Sequence, residues 1–365
     1  MKKILAPLLF LASPSVLFSQ TKNAIENIII ITTDGFRWQE VFNGLDSSLT
    51  EMAEFNQGKK KELYAAYGAT TREKRRKMLM PFLWSTVEKE GQIYGNRKFG
   101  NKVDNSNPYW FSYPGYSEIF CGFVDSTINS NEFPPNPNTN VLEFFNKQPA
   151  LKNKVAAFGA WNAFDRIFNE KRSGFPIVCG MEPCGGSKPD SAQQKINELK
   201  KNTPTPFDES EHLDIFTQAA ATDLLQKQKP RVLYISYGET DEWAHSGQYW
   251  DYLNSAHKVD KWIGDLWRYI QTVPQYKNKT ALFITVDHGR GYKDKKQWTS
   301  HNNKISDSHE IWFAVIGPGI PAKGEVKKEM QVYQKQFAQT FAELLGLVFK
   351  CEHAVAAGLK ATLVK

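Results

Sequence analysis

The sequence predicts an α/β fold, with a central, mostly parallel sheet flanked by helices on both faces, and three observations predict it. The run Ala281-Leu282-Phe283-Ile284-Thr285-Val286 is apolar and β-branched without alternation, as a strand buried on both faces requires. Asn27 to Thr33 and Arg231 to Tyr237 repeat the pattern. Between the last two strands, Tyr249, Tyr252, Leu253, Ala256, Val259 and Ile263 keep helical spacing, the mark of a long crossover helix with one apolar stripe. His257 on that helix reads as a surface or satisfied histidine.

Each strand closes on polar residues at its carboxyl end, where open α/β sheets place their ligands. The first ends in Asp34-Gly35, the second leads into Asp241 and His245, and the third ends in Asp287-His288-Gly289. Asp241 and His245 are four apart, so one helical turn faces them the same way. A later loop carries His301, with His309 as its rival. Each feature alone has an ordinary reading, Asp34 as a cap and Asp-His-Gly as a turn. Three carboxylates with three or four histidines at one rim exceed what one ion needs and suit two zinc ions, with manganese and iron open as alternatives.

Taken in order, the chain of 365 residues opens with a basic, then apolar, then small-residue pattern over residues 1–20. That pattern reads as a secretory signal peptide, so the mature chain is expected to be exported, periplasmic or extracellular. No later segment is apolar for long enough to cross a bilayer. Residues 21–365 read as one domain, with surface insertions at about 44–80 and 172–210. An amphipathic helix is expected from Met80 to Glu90, stopped by Gly91. Pro114 suits the first turn of another, which puts Ser112 at its N-terminus, as either a cap or an activated nucleophile. A short helix from Val141 to Asn146, a strand from Lys154 to Gly159, a strand and turn over Glu310 to Gly319 and a closing helix from Gln334 to Leu345 complete the reading.

Composition narrows the partners. The net charge is +7, concentrated in Lys59-Lys60-Lys61 and Arg72 to Lys77. A solvated helical face is the plain reading; a patch that draws anionic substrates or an anionic cell surface is the alternative. No aromatic residues interleave with those charges, so no nucleic-acid polymer is expected. Of four cysteines, Cys179 and Cys184 lie in a Gly/Pro-rich loop at a spacing that favours a disulfide over a zinc pair.

The set of motifs resembles the alkaline phosphatase superfamily, nearest in pattern to its nucleotide pyrophosphatase/phosphodiesterase and secreted phosphate-irrepressible phosphatase branches. The motifs are Thr33-Asp34-Gly35, Ser112-Tyr113-Pro114, Asp241-x-x-x-His245, Val286-Asp287-His288-Gly289 and a late histidine, spanning Asn27 to Gly319. The resemblance implies one zinc on Asp241, His245 and His301, and a second on Asp34, Asp287, His288 and the nucleophile Ser112. It implies hydrolysis of a small-molecule phosphate ester, mono- or diester, through a phosphoseryl intermediate. An asparagine that binds substrate stands about twenty residues past the nucleophile in many relatives; position 133 is Phe, so the role falls to Asn131 or Asn136. Trp161, Asn162, Asp165 and Arg166 are placed to meet the transferred group, Arg166 by its charge. A sulfatase of the same superfamily is the first rival, weakened by Tyr116 where the sulfatase signature has arginine; a catalytically silent binding protein is the second. Oligomeric state is not legible.

Overall fold

The computed structural model describes residues 24–364, so the expected signal peptide lies outside the described residues. Among the described residues eleven strands form: β1 Asn27–Thr33, β2 Gln92–Tyr94, β3 Asn101–Asp104, β4 Val155–Gly159, β5 Ile177–Cys179, β6 Val232–Tyr237, β7 Thr280–Thr285, β8 Glu310–Ile311, β9 Phe313–Ile316, β10 Gly324–Glu325 and β11 Met330–Tyr333. Eight make the main sheet in the order β10-β2-β9-β7-β1-β6-β4-β5; β11-β3-β8 make a small second sheet.

The core of the main sheet is parallel. β1 sits centrally, with Ile30 in register with Tyr234 on β6 and Phe283 on β7, and every residue of these three strands is buried. Sealing both faces removes the reason for alternation, which is why these strands read as unbroken apolar runs. β9 runs antiparallel to both of its neighbours, β7 and β2. The expected Glu310–Ile316 strand is split at Trp312, whose buried indole Nε1 donates to Phe36 O at 2.9 Å.

The long helix Tyr249–Ile270 buries Tyr252, Leu253, Ala256, Val259 and Ile263 as its spacing predicts, and His257 Nδ1 lies 2.8 Å from Leu79 O, a satisfied histidine. The Met80–Glu90 stretch is a π-helical turn at Leu83–Val87 running on to Glu90; the Asp260 carboxylate of the long helix accepts from the Phe82 and Leu83 amides at 2.7 and 3.0 Å. The expected closing helix is a short 3-10 turn followed by Phe337–Leu344. Val141–Lys147 is the short helix expected there. Residues 44–80 form helices at Ser47–Glu51, Lys60–Tyr67 and Arg72–Leu79. Residues 172–210 are less peripheral than expected: they supply β5, the edge strand beside β4, whose three residues were too short a run to stand out.

The expected Cys179–Cys184 disulfide is not formed. All four cysteines are free; Cys179 Sγ donates to Asn162 O at 3.2 Å, while Cys184 Sγ turns toward Gln193 O. Among the described residues no helix is long and apolar enough to cross a membrane.

Candidate metal centre

The sheet brings the sequence-predicted acids and histidines to one rim because β1, β6 and β7 are neighbours and parallel. Asp34 follows β1 directly. Gly35, at φ +57°, turns the chain there, and a Cβ in its place would lie 2.5 Å from Asp241 Oδ1 and 3.1 Å from His288 Cε1. Only glycine fits that cradle. Asp241 and His245 stand on the helix Glu239–His245 after β6, with His245 Nε2 3.0 Å from Asp241 Oδ2. Asp287 and His288 follow β7.

Ser112 begins the helix Ser112–Cys121, and every residue of that helix is buried. Its packing depends on Gly115, where a Cβ would sit 2.6 Å from Asp287 O. The Ser112 helix thus lies directly on the loop that carries Asp287 and His288. Ser112 Oγ is 3.3 Å from His288 Nε2. The Tyr113 amide donates to Asn131 Oδ1 at 3.0 Å, and Trp110, at φ +57°, reverses the chain just before the helix.

His288 Nε2 lies 3.3 Å from Asp34 Oδ1 and 3.3 Å from Asp287 Oδ2. Four donors around a zinc ion at about 2.0–2.1 Å stand about 3.3 Å apart, the edge of the tetrahedron. Ser112, Asp34 and Asp287 all keep that edge to His288. Asp34 Oδ1 and Asp287 Oδ2 are buried and have no hydrogen-bond partner among the described residues, which a bare protein rarely tolerates. A cation among these atoms satisfies both. Around the second set, His301 Nε2 is 3.0 Å from His245 Nε2 and 3.7 Å from Asp241 Oδ1. The His288 and His301 rings stack at 3.8 Å.

His288 Nδ1 lies 2.9 Å from Gly289 O and His301 Nδ1 lies 3.3 Å from Trp110 O, so each ring's Nδ1 is held by a carbonyl and its Nε2 faces the carboxylates. His309 is elsewhere: its Nδ1 meets Asp104 Oδ1 at 2.9 Å and its ring packs on Trp110.

Electrostatics point the same way. Burial, then the Asp34 charge, pushes the Asp287 carboxyl well above its ordinary range; burial and the Asp241 charge raise Asp34. Burial disfavours an imidazolium at His288, but Asp287, Asp34 and Asp241 outweigh it and push it up to about 9. Burial also disfavours the Asp241 carboxylate, yet Arg290, His245 and His301 hold it well below its usual value. Crowded carboxylates here demand positive charge, which a divalent ion supplies.

Two partners of the cluster carried no legible signal in the sequence. Arg290, fully buried, pairs with Asp241 Oδ1 and donates to Trp298 O at 2.9 Å. Tyr116 donates to Asp34 Oδ2 at 2.9 Å. A buried arginine is announced only by the acid it meets, and that acid lies far off in sequence. Asn136 is fully buried; its Nδ2 donates to Ser117 Oγ at 3.0 Å and its Oδ1 accepts from the Asn138 amide, which braces the loop. Asn131, the alternative, lies beside the turn that opens the Ser112 helix. Arg166 donates to Phe133 O at 2.9 Å and borders a cavity of about 400 Å³ with Asn162 and Asp165.

A parallel sheet with acids and histidines converging at its carboxyl rim beside a helix-borne serine defines an alkaline phosphatase superfamily hydrolase of phosphate or sulfate esters. The chain belongs to the type I phosphodiesterase / nucleotide pyrophosphatase family, whose model matches residues 28–344. Among solved structures it is similar to wild-type alkaline phosphatase PafA (10% identity, 93% of this chain and 99% of that one, TM-score 0.60). It is also similar to BT1596, a 2-O GAG sulfatase (14% identity, 93% and 74%, TM-score 0.58), and to the lipoteichoic acid synthase LtaP from Listeria monocytogenes (13%, 92% and 75%, TM-score 0.54). At these identities the likeness is one of fold. No curated protein matches by sequence.

Proposed function

We propose that this chain is an exported, two-zinc phosphate ester hydrolase that works through a phosphoseryl intermediate on Ser112. The observation that carries the reading is the set of equal 3.3 Å separations from His288 Nε2 to Ser112 Oγ, Asp34 Oδ1 and Asp287 Oδ2. Asp34, Asp287, His288 and Ser112 would hold one ion, and Asp241, His245 and His301 the other; bound zinc would supply Lewis-acid stabilisation of negative charge on the attacking and leaving oxygens.

The chain's own groups do the rest. Ser112 Oγ attacks phosphorus in line; the P–O bond to the leaving alcohol breaks, and water then hydrolyses the phosphoseryl ester. The helix N-terminus at Ser112 favours the anionic phosphoryl oxygens. Asn131, fixed through its Oδ1 on the Tyr113 amide, turns its Nδ2 to a non-bridging oxygen. Arg166 serves the remote part of the ester from the neighbouring cavity. Tyr116 holds Asp34 and fills the place of the sulfatase arginine, which argues against a formylglycine enzyme.

The test is bound metal per chain, with hydrolysis of aryl phosphate, aryl phosphodiester and aryl sulfate by wild type and Ser112→Ala. Two zinc ions with phosphoester turnover that Ser112→Ala abolishes support the proposal and rank monoester against diester. Turnover of aryl sulfate alone moves the chain to the sulfatase reading, and metal without turnover to the binding-protein reading.

A further inference from the structure

The basic residues Arg72 to Lys77 find no role in the metal centre, and they do not all face solvent. Arg72 and Arg75 line a cavity of about 610 Å³ together with Lys98 and Lys295. Volumes of that order hold small ligands. The only carboxylate in its wall is Asp46, already paired with Lys295 Nζ at 2.7 Å. Arg75 is anchored by backbone carbonyls, Nε on Asn43 O at 3.3 Å and Nη1 on Ala69 O at 3.1 Å, which leaves its charge uncompensated and its remaining N–H groups to the cavity. Lys98 is exposed and has no ion-pair partner among the described residues. Cations gathered in one cavity repel unless an anion joins them.

A second observation is independent of charge. Gln39, also in the cavity wall, is 4% exposed, and neither its Nε2 nor its Oε1 has a hydrogen-bond partner among the described residues. A buried amide without partners is costly unless a ligand completes it. Its donor suits an oxyanion and its acceptor suits a hydroxyl.

We infer that this cavity is a second binding site, distinct from the metal centre, for a phosphate or sulfate group carried on a hydroxylated molecule. Arg75 and Lys98 take the oxyanion, with Arg72, whose Nε pairs with Glu73 Oε1 at 2.6 Å, beside them, and Gln39 bonds to it or to its neighbouring hydroxyl. The site is built by the loops that leave the metal centre. Gln39 lies five residues past Asp34 and Lys295 seven past His288, which bounds the separations at about 18 and 25 Å of extended chain. Arg37 Nη1 ties the two loops by donating to Gly291 O at 2.8 Å. This inference does not depend on what reaction the metal centre catalyses.

The experiment is thermal stabilisation by inorganic sulfate at constant ionic strength, for wild type, Lys98→Ala, Arg75→Gln and Gln39→Leu, all in zinc-containing buffer so that binding at the metal centre is common to all four. The expected result is a sulfate midpoint raised roughly fivefold by Lys98→Ala and more by Arg75→Gln, with Gln39→Leu raising the melting temperature in sulfate-free buffer while weakening sulfate. Lys98 is at the surface, so its variant keeps the test meaningful if Arg75→Gln fails to fold. Identical midpoints in wild type and Lys98→Ala, or no stabilisation of wild type at all, overturn the inference. A sulfated monosaccharide run in parallel separates the sources. Tighter binding than inorganic sulfate, lost in Gln39→Leu, assigns the site to a glycan-borne group, and equal binding assigns it to the free anion.

Discussion

Ser112 Oγ and His288 Nε2 stand 3.3 Å apart, although 176 residues separate them in the chain. The helix that Ser112 begins reaches that position because Gly115 lets it lie on the Asp287 carbonyl. Ser112→Ala removes one donor and leaves Asp34, Asp287 and His288 in place. Phosphoester turnover is expected to fall by roughly 10³-fold or more while two ions remain bound; metal analysis beside a turnover assay checks both halves.

The two late histidines should separate cleanly. His301→Ala is expected to lose about one ion per chain, because His301 faces His245 and Asp241. His309→Ala, whose ring serves Asp104, is expected to retain both. Loss of metal in the second variant alone would reverse the assignment.

Gly35→Ala tests the cradle. An alanine at φ +57° costs roughly 1–2 kcal/mol from backbone strain alone. Its Cβ must also displace the Asp241 carboxylate, so metal affinity is expected to fall together with the denaturant midpoint.

Asp260 gives a pH dependence away from the metal centre. Burial pushes its carboxyl up to about 7, with the Leu83 and Phe82 amides pulling the other way. The folded chain therefore holds a proton that the unfolded chain, with its carboxyl near 3.8, has released. That contribution is complete below the unfolded value and is lost as pH rises through about 7. Between pH 5.5 and 8 the loss is about 2 kcal/mol. Unfolding free energies of Asp260→Asn, relative to wild type, should become more favourable by that amount over the same interval; a constant difference would contradict it.

Thiol reduction should be silent. With Cys179 and Cys184 free, dithiothreitol is expected to leave the melting temperature unchanged, where loss of a real bridge would lower it by several degrees, at roughly 2–5 kcal/mol per disulfide.

The sheet centre was legible because β1, β6 and β7 are sealed on both faces, and burial writes itself into sequence as Ile28 to Ile31 or Ala281 to Ile284. The convergence of Asp34, Asp287 and His288 was legible because they stand where such strands end, and that of Asp241 and His245 because they share the helix that follows β6. What escaped was of two kinds. β2, β3, β5, β10 and β11 have four residues or fewer and take their conformation from the neighbours they pair with, so no local periodicity marks them. The burial of Asn136 was not legible either, because a count from Ser112 cannot tell an amide that faces a cleft from one bonded to Ser117 in a loop.

The donors of the centre run from residue 34 to residue 301, on four separate excursions of the chain, and they meet only across β1, β6 and β7. No early fragment of the nascent protein contains a usable site, and closing the centre needs the slow, non-local pairing of parallel strands. Metal bound by these residues would therefore be taken up only at the end of folding, by a chain whose topology is already in place.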